Sequence, residues 1–164
     1  MMDLADYVGA LVLLNGGKIV GKTRLQKTAY LLEASSIGFG IDFDYHDYGP
    51  FSAELAFAAD DAESLEYIET NLHPGFHSVP YTIFESTDEA PKFEKGKLTD
   101  ARRKALEAMK GCSALILELA ATAVFLKENG YRTNSWDEVR KRKPSKATPD
   151  LLKQAKKLIS DLRL

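Results

Sequence analysis

The sequence predicts a mainly α-helical α+β fold in a single compact domain. The chain has 164 residues, 45% hydrophobic and 28% charged, which suits one globular core and is short for two. Apolar residues recur at helical spacing through most of the chain. One stretch after residue 78 is instead β-branched and aromatic and leads into turn-forming residues, a pattern typical of a hairpin.

Two helices are predicted first. Apolar residues at i, i+4, i+7 and i+8 indicate a helix over Asp3–Leu14, which Asn-Gly-Gly then ends. Thr23–Gln26 matches a capping box, so a second helix begins there and runs to about Ala34. Its apolar stripe would leave Arg24 and Lys27 on the outer side.

An extended segment, a third helix and a hairpin follow. Ile41–Tyr48 alternates in polarity, which predicts a strand that Gly49–Pro50 ends. The third helix covers Ser52–Ala62, with the serine as its N-cap. Val79–Glu85 predicts a strand, with residues 92–94 as the return strand.

Residues 96–164 predict a helical part. The first, third and fourth starts carry a capping residue, and the second helix of this part is the most apolar of the chain. The predicted helices cover Thr99–Met109, Ser113–Lys127, Ser135–Pro144 and Thr148–Leu162.

The order of elements in residues 1–95 is that of a winged-helix module, whose third helix ordinarily enters the DNA major groove. Here that helix carries Glu54, Asp60 and Asp61, with Glu63 directly after it, and no Lys or Arg, so it would repel phosphate. A winged-helix DNA-binding regulator is therefore the alternative function. Its phosphate contacts would come from Lys18, Lys22, Arg24, Lys27 or the basic run 140–146.

Charge is distributed unevenly along the chain. The formal net charge is −2, but residues 28–91 hold 13 acidic residues and no Lys or Arg. Residues 127–164, by contrast, have 11 basic and 5 acidic residues. An acidic surface of this kind either serves solubility or receives a basic partner, and it disfavours nucleic acid as that partner.

Motifs for other chemistry are weak. Gly16–Thr23 matches the phosphate-binding P-loop pattern, but a P-loop needs a strand before it, and the preceding segment predicts a helix. His73 and His77 are separated by Pro-Gly and cannot share a helix face. The sequence thus predicts no enzyme activity, no catalytic residues, no metal and no cofactor, with nucleotide binding as a remote alternative.

Three motifs together resemble the Panacea (SocA-like) antitoxin superfamily, and in particular its short stand-alone prokaryotic members. They are Arg24–Tyr30, Tyr48–Ser52, and Leu117–Thr122 ahead of Lys143–Pro144, and the resemblance spans about Leu11 to Lys146. It implies a mostly helical, non-enzymatic protein that binds and neutralises a toxin, in some members by delivering it to a protease.

The stiff Tyr48–Ser52 turn and the start of the second helix provide the candidate binding site. A small polar pocket between them would receive a carboxylate or a partner's side chain. Its candidate residues are Arg24, Gln26, Lys27, Tyr30, Tyr48, Gly49, Pro50 and Ser52. As an alternative, these residues clamp two helices together, with Glu118 paired to Arg24 or Lys27 in the core.

The sequence places the protein in the cytoplasm. Asp3 and Asp6 stand where a signal peptide carries positive charge, and no apolar run is long enough to span a bilayer. The lone Cys112 suits a reducing compartment.

Overall fold

The structure, a computed structural model, consists of seven α-helices and five short strands; it describes residues 1–164 except for the side chain of Ser78. The helices are α1 (Leu4–Leu14), α2 (Lys22–Ala34), α3 (Ala53–Ser64), α4 (Lys97–Lys110), α5 (Ala114–Glu128), α6 (Ser135–Arg142) and α7 (Pro149–Asp161). The strands are β1 (Lys18–Val20), β2 (Asp44–His46), β3 (Gly49–Phe51), β4 (Ile68–His73) and β5 (Tyr81–Ser86). The predicted mainly α, α+β fold is confirmed.

The larger sheet has three antiparallel strands in the order β1-β5-β4. With α1, α2 and α3 it gives residues 1–95 the element order of a winged helix. The predicted return strand at 92–94 is wrong, because β5 pairs with β4, which precedes it. Phe93 packs against Tyr7, with 5.6 Å between ring centroids, and the guanidinium carbon of Arg102 lies 4.5 Å from the Phe93 ring centroid. This part of the chain therefore packs against the core and does not form a strand.

The smaller sheet is a hairpin of β2 and β3 inserted between α2 and α3. The sequence predicted that Gly49–Pro50 ends a strand, but both residues lie in the return strand, opposite His46 and Tyr45. A two-stranded sheet has two free edges, so the missing N–H of Pro50 need not remove a ladder hydrogen bond.

Two predicted helix caps are confirmed: the hydroxyl oxygens of Ser52 and Thr148 accept hydrogen bonds from backbone amides of the first turn, and that of Ser113 does the same. The caps predicted at Thr99 and Ser135 are wrong, because α4 and α6 follow Gly96 and Asn134 and neither start has a side-chain cap bond. The Thr23–Gln26 capping box is wrong, because α2 begins at Lys22 after Gly21, whose φ is +99°. Gln26 instead bonds to a distant part of the chain.

Helix α5 lies at the centre and joins the two parts of the chain. It packs against α2 and β3 on one side and against α6 and α7 on the other. Ten of its residues are buried, including Leu117, Leu119 and Ala120. Among the described residues, none of the helices combines the length and apolar character needed to cross a membrane.

Candidate functional site

Gln26 fixes the start of α3. Its side-chain amide donates to the carbonyl of Ser52 at 2.9 Å, and its side-chain oxygen accepts from the Ser52 amide at 2.8 Å. The Ser52 hydroxyl in turn accepts from the amide of Leu55 at 3.1 Å. Gln26 and Ser52 are both buried. Their hydrogen-bonding groups thus satisfy one another across 26 residues of chain, which is the geometry of a clamp.

Lys27 is buried beside this clamp, with 2% of its surface exposed. The prediction that it points outward is wrong, because its Nζ donates to the carbonyl of Pro50 at 2.7 Å. A buried ammonium needs acceptors and negative charge nearby. Pro50 supplies the acceptor, and Glu118 supplies the negative charge.

Glu118 is the centre of a buried ion cluster. Its carboxylate lies 3.1 Å from Nζ of Lys143 and 3.0 Å from Nζ of Lys146. Lys143 also donates to the carbonyl of Asp47 at 3.2 Å. The predicted direct ion pair of Glu118 with Arg24 or Lys27 is therefore wrong, because its direct partners come from the segment between α6 and α7, although the charge of Glu118 still acts on Lys27. We call Lys27, Glu118, Lys143 and Lys146 the lysine cluster.

Burial lowers the pKa of Lys27 to about 8, with Lys143 and Lys146 acting in the same direction and Glu118 opposing them. The folded protein then binds fewer protons at Lys27 than the unfolded chain at pH values between about 8 and the ordinary lysine pKa. Since the unfolded state binds more protons there, stability contributed by this group rises with pH across that window.

We expect the free energy of unfolding of the wild type to rise from pH 8 to pH 9.5 relative to that of Lys27→Met, in which this titration is absent. Denaturant titrations at both pH values measure the difference. Lys110→Met, at an exposed residue, is the control and should follow the wild type. Parallel curves for the wild type and Lys27→Met would contradict the buried titration.

Tyr48 is the exposed residue of the site, and Gly49 beside it is buried. Tyr48 is 59% exposed, and Nζ of Lys146 lies 4.8 Å from its ring centroid. Gly49 is buried with φ +92°, and a Cβ there would lie 2.5 Å from the hydroxyl oxygen of Thr122. The close approach of β3 to α5 therefore requires glycine at position 49.

Tyr30 and Arg24 lie apart from the Tyr48 turn. Tyr30 is buried against Phe43 and Phe125, and burial raises the pKa of its hydroxyl. Arg24 donates to the carbonyls of Met109 and Cys112 at 3.3 and 2.5 Å, so it ties α2 to the end of α4.

The structure brings together five of the eight predicted site residues, and those five are buried or form backbone supports: Gln26, Lys27, Gly49, Pro50 and Ser52. Tyr48 alone of the eight is exposed, and Arg24 faces a different helix. The polar pocket predicted between them stays a prediction. The mutual hydrogen bonds of Gln26 and Ser52 favour the alternative, in which these residues clamp two helices together.

The acidic cleft is a depression of about 630 Å³ between the end of α3 and β4. Its residues were not identified individually from the sequence. Five carboxylates line it: Glu63, Glu66, Glu69, Asp88 and Glu89. The absence of Lys and Arg from residues 28–91 was the sequence signal for this surface, but the register that gathers these five carboxylates was not readable from it.

The Gly16–Thr23 segment does not form a phosphate-binding loop. Helix α1 precedes it where a strand is required, and three residues of the segment form β1. β1 pairs with β5 in an antiparallel sheet, whereas a P-loop follows a strand of a parallel one.

Comparison with known proteins gives one distant relative. The chain is 23% identical over 113 residues, 68% of either chain, to the "Uncharacterized protein YwgA" of Bacillus subtilis (strain 168). No family model and no solved structure matches the chain. The resemblance to the Panacea superfamily stays a prediction.

Proposed function

We propose that this chain is a non-enzymatic protein-binding module with an antitoxin-like role, which neutralises a basic partner protein or acts as its adaptor. The acidic cleft is the observation that carries this proposal. Five carboxylates converge there on a part of the chain, residues 28–91, without a Lys or Arg. Such a surface attracts a cationic partner and speeds its encounter.

Two exposed apolar side chains in residues 28–91, the part of the chain without Lys or Arg, support a protein partner. Phe57 on α3 is 70% exposed, and Leu65 after the helix is 49% exposed. Apolar anchors within a charged rim are typical of protein interfaces, where they supply most of the affinity. A small cation would gain no affinity from these apolar side chains.

Charge reversal in the acidic cleft tests the proposal. We expect a product of a neighbouring gene to arrest growth when expressed alone and to be neutralised by the wild type. Neutralisation should fail with the double variant Glu63→Lys, Glu69→Lys. The control, Glu94→Lys with Glu107→Lys, makes the same charge change at exposed residues outside the cleft and should still neutralise.

Complex formation between the purified proteins is measured alongside growth, by size-exclusion chromatography with light scattering. An equal loss of neutralisation and of complex formation in both double variants would show a general charge effect. Full neutralisation by the cleft variant would contradict the proposed surface.

The winged-helix topology favours DNA binding as the second candidate function, but it is opposed by the charge of α3. Glu54, Asp60, Asp61 and Glu63 are all exposed on that helix. Of the four basic residues predicted to contact phosphate from the first half, Lys27 is buried and Arg24 is bonded to α4. A sub-micromolar complex with duplex DNA at physiological salt, weakening steeply as salt rises, would favour this candidate instead.

A further inference from the structure

We propose that β4 is a docking edge, to which a partner contributes a basic extended segment as the fourth strand of the sheet. The inference rests on the proposed function and specifies its mode of recognition. β-Strand addition of this kind draws affinity from main-chain hydrogen bonds and specificity from alternate side chains.

The position of β4 in the sheet makes the addition feasible. The order β1-β5-β4 leaves β4 at one end, and no described strand pairs with its outer side. β4 has six residues, whereas β1, at the opposite edge, has three. An edge strand presents N–H and C=O groups that lack a sheet partner, and a long one is a template for another chain.

The cross-strand register defines the charge that the incoming strand should carry. Lys18 on β1 lies opposite Glu85 on β5, and Glu85 lies opposite Glu69 on β4. All three side chains are exposed. Like charges directly opposite each other destabilise a sheet. A lysine or arginine beside Glu69 on a fourth strand would complete an alternation in which each glutamate has a cationic neighbour.

The acidic cleft follows the same edge. Besides its carboxylates it is lined by Ile68, Thr70 and Asn71 of β4, so the cleft and the open strand edge are one surface. At the far end of β4, Leu72 is 72% exposed, and Phe76 in the connection to β5 is 93% exposed. An extended segment lying along β4 would meet carboxylates first and an apolar anchor at its end.

Charge complementarity identifies the occupant as a basic peptide segment of another protein. A second copy of this chain offers β4 no cation: the only charged side chain of β4 besides its histidine is Glu69, and an antiparallel β4 pair would bring Glu69 of each copy to the same face of the sheet. The acidic side chains therefore favour a cationic partner and oppose self-association through this edge.

A blocked alternating peptide, Lys-Val-Lys-Val-Lys-Val, is the probe for the first test, with Glu-Val-Glu-Val-Glu-Val as its control. We expect the lysine peptide to bind the full chain and to slow hydrogen exchange at alternate amides of β4, measured by NMR. Glu69→Lys should weaken binding about tenfold, whereas Glu107→Lys should leave it unchanged. Binding without protection of β4 amides would overturn the inference.

N-Methylation of alternate peptide amides provides the second test. It removes donors needed by a strand ladder and keeps every charge. We expect a lysine peptide methylated on the amides that face β4 to lose at least tenfold in affinity. A lysine peptide methylated on the amides that face away from β4 should bind normally. Equal affinity of both methylated peptides would show adsorption by charge alone and overturn strand addition.

The outcomes separate this inference from the function on which it rests. If neutralisation depends on the acidic cleft but the β4 amides stay unprotected in the complex, strand addition is wrong and the proposed function stands. If no neighbouring product is neutralised while the peptide tests succeed, the antitoxin-like role is wrong. Sedimentation velocity that shows a dimer lost in Glu69→Lys would assign the edge to a second copy instead.

Discussion

Glu118→Gln is expected to lower the free energy of unfolding by about 3–5 kcal/mol, because removal of one partner from a buried ion cluster leaves the others uncompensated. Lys143 is 6% exposed and Lys27 is 2% exposed, so neither can recover full hydration while the fold persists. Glutamine keeps the shape of the side chain, which limits the change to charge. The melting temperature should fall by about 10 °C for a domain of this size.

Glu107→Gln is the matched control, since Glu107 is an exposed helical residue without an ion pair among the described contacts. Adding Lys143→Met to Glu118→Gln removes a cation left behind and should restore part of the lost stability. Thermal and urea unfolding of the wild type, Glu118→Gln, Lys143→Met and the double variant complete a double-mutant cycle. A loss for Glu118→Gln no larger than that for Glu107→Gln would contradict the role of the lysine cluster.

Gly49→Ala is expected to cost about 2–4 kcal/mol, from two separate causes. The backbone φ of +92° is strained for alanine. In addition, the new Cβ would meet the hydroxyl oxygen of Thr122 at 2.5 Å, which forces β3 away from α5. Urea unfolding measures the loss.

Two further variants separate the causes. Thr122→Ala removes the close contact without loss of a hydrogen bond, because that hydroxyl has no partner in the described structure. Gly49→Ala with Thr122→Ala should therefore retain only the backbone strain. Gly111→Ala is the control glycine, with φ −74° and open space at its Cβ, and should be near neutral. Equal effects of the Gly49 and Gly111 substitutions would contradict both causes.

The parts of the fold that depend on local patterns were predictable from the sequence. Helices α1, α3, α5 and α7 combine an apolar pattern with a capping residue. Both signals depend only on residues a few positions apart in the sequence. β1 and β4 were not predicted. β1 has three residues and is buried only at Ile19, and β4 alternates weakly, so neither gives a period that can be distinguished from loop. Their pairing with β5 decides their structure.

The candidate site was predictable as a set of residues but not as a geometry. Gln26 and Ser52 do meet, yet the Thr23–Gln26 pattern favoured a local cap, and nothing near Gln26 in sequence reveals a partner 26 residues away. The lysine cluster did leave one signal. A glutamate in the middle of the most apolar helix must be paired with a cation. Which cation pairs with it could not be predicted from the sequence, because basic residues are abundant after residue 139.

The bond from Lys143 to the Asp47 carbonyl spans 96 residues, which has a consequence for the order of folding. Synthesis proceeds from the N-terminus, so the β2–β3 hairpin emerges long before the lysines that support it. Contacts between residues far apart in the sequence form late, because closing a long loop costs entropy before the contact can stabilise the chain. The hairpin with Tyr48 should therefore be the last segment to become rigid, whereas β4 and β5, joined by a short connection, can pair while the chain is still being made.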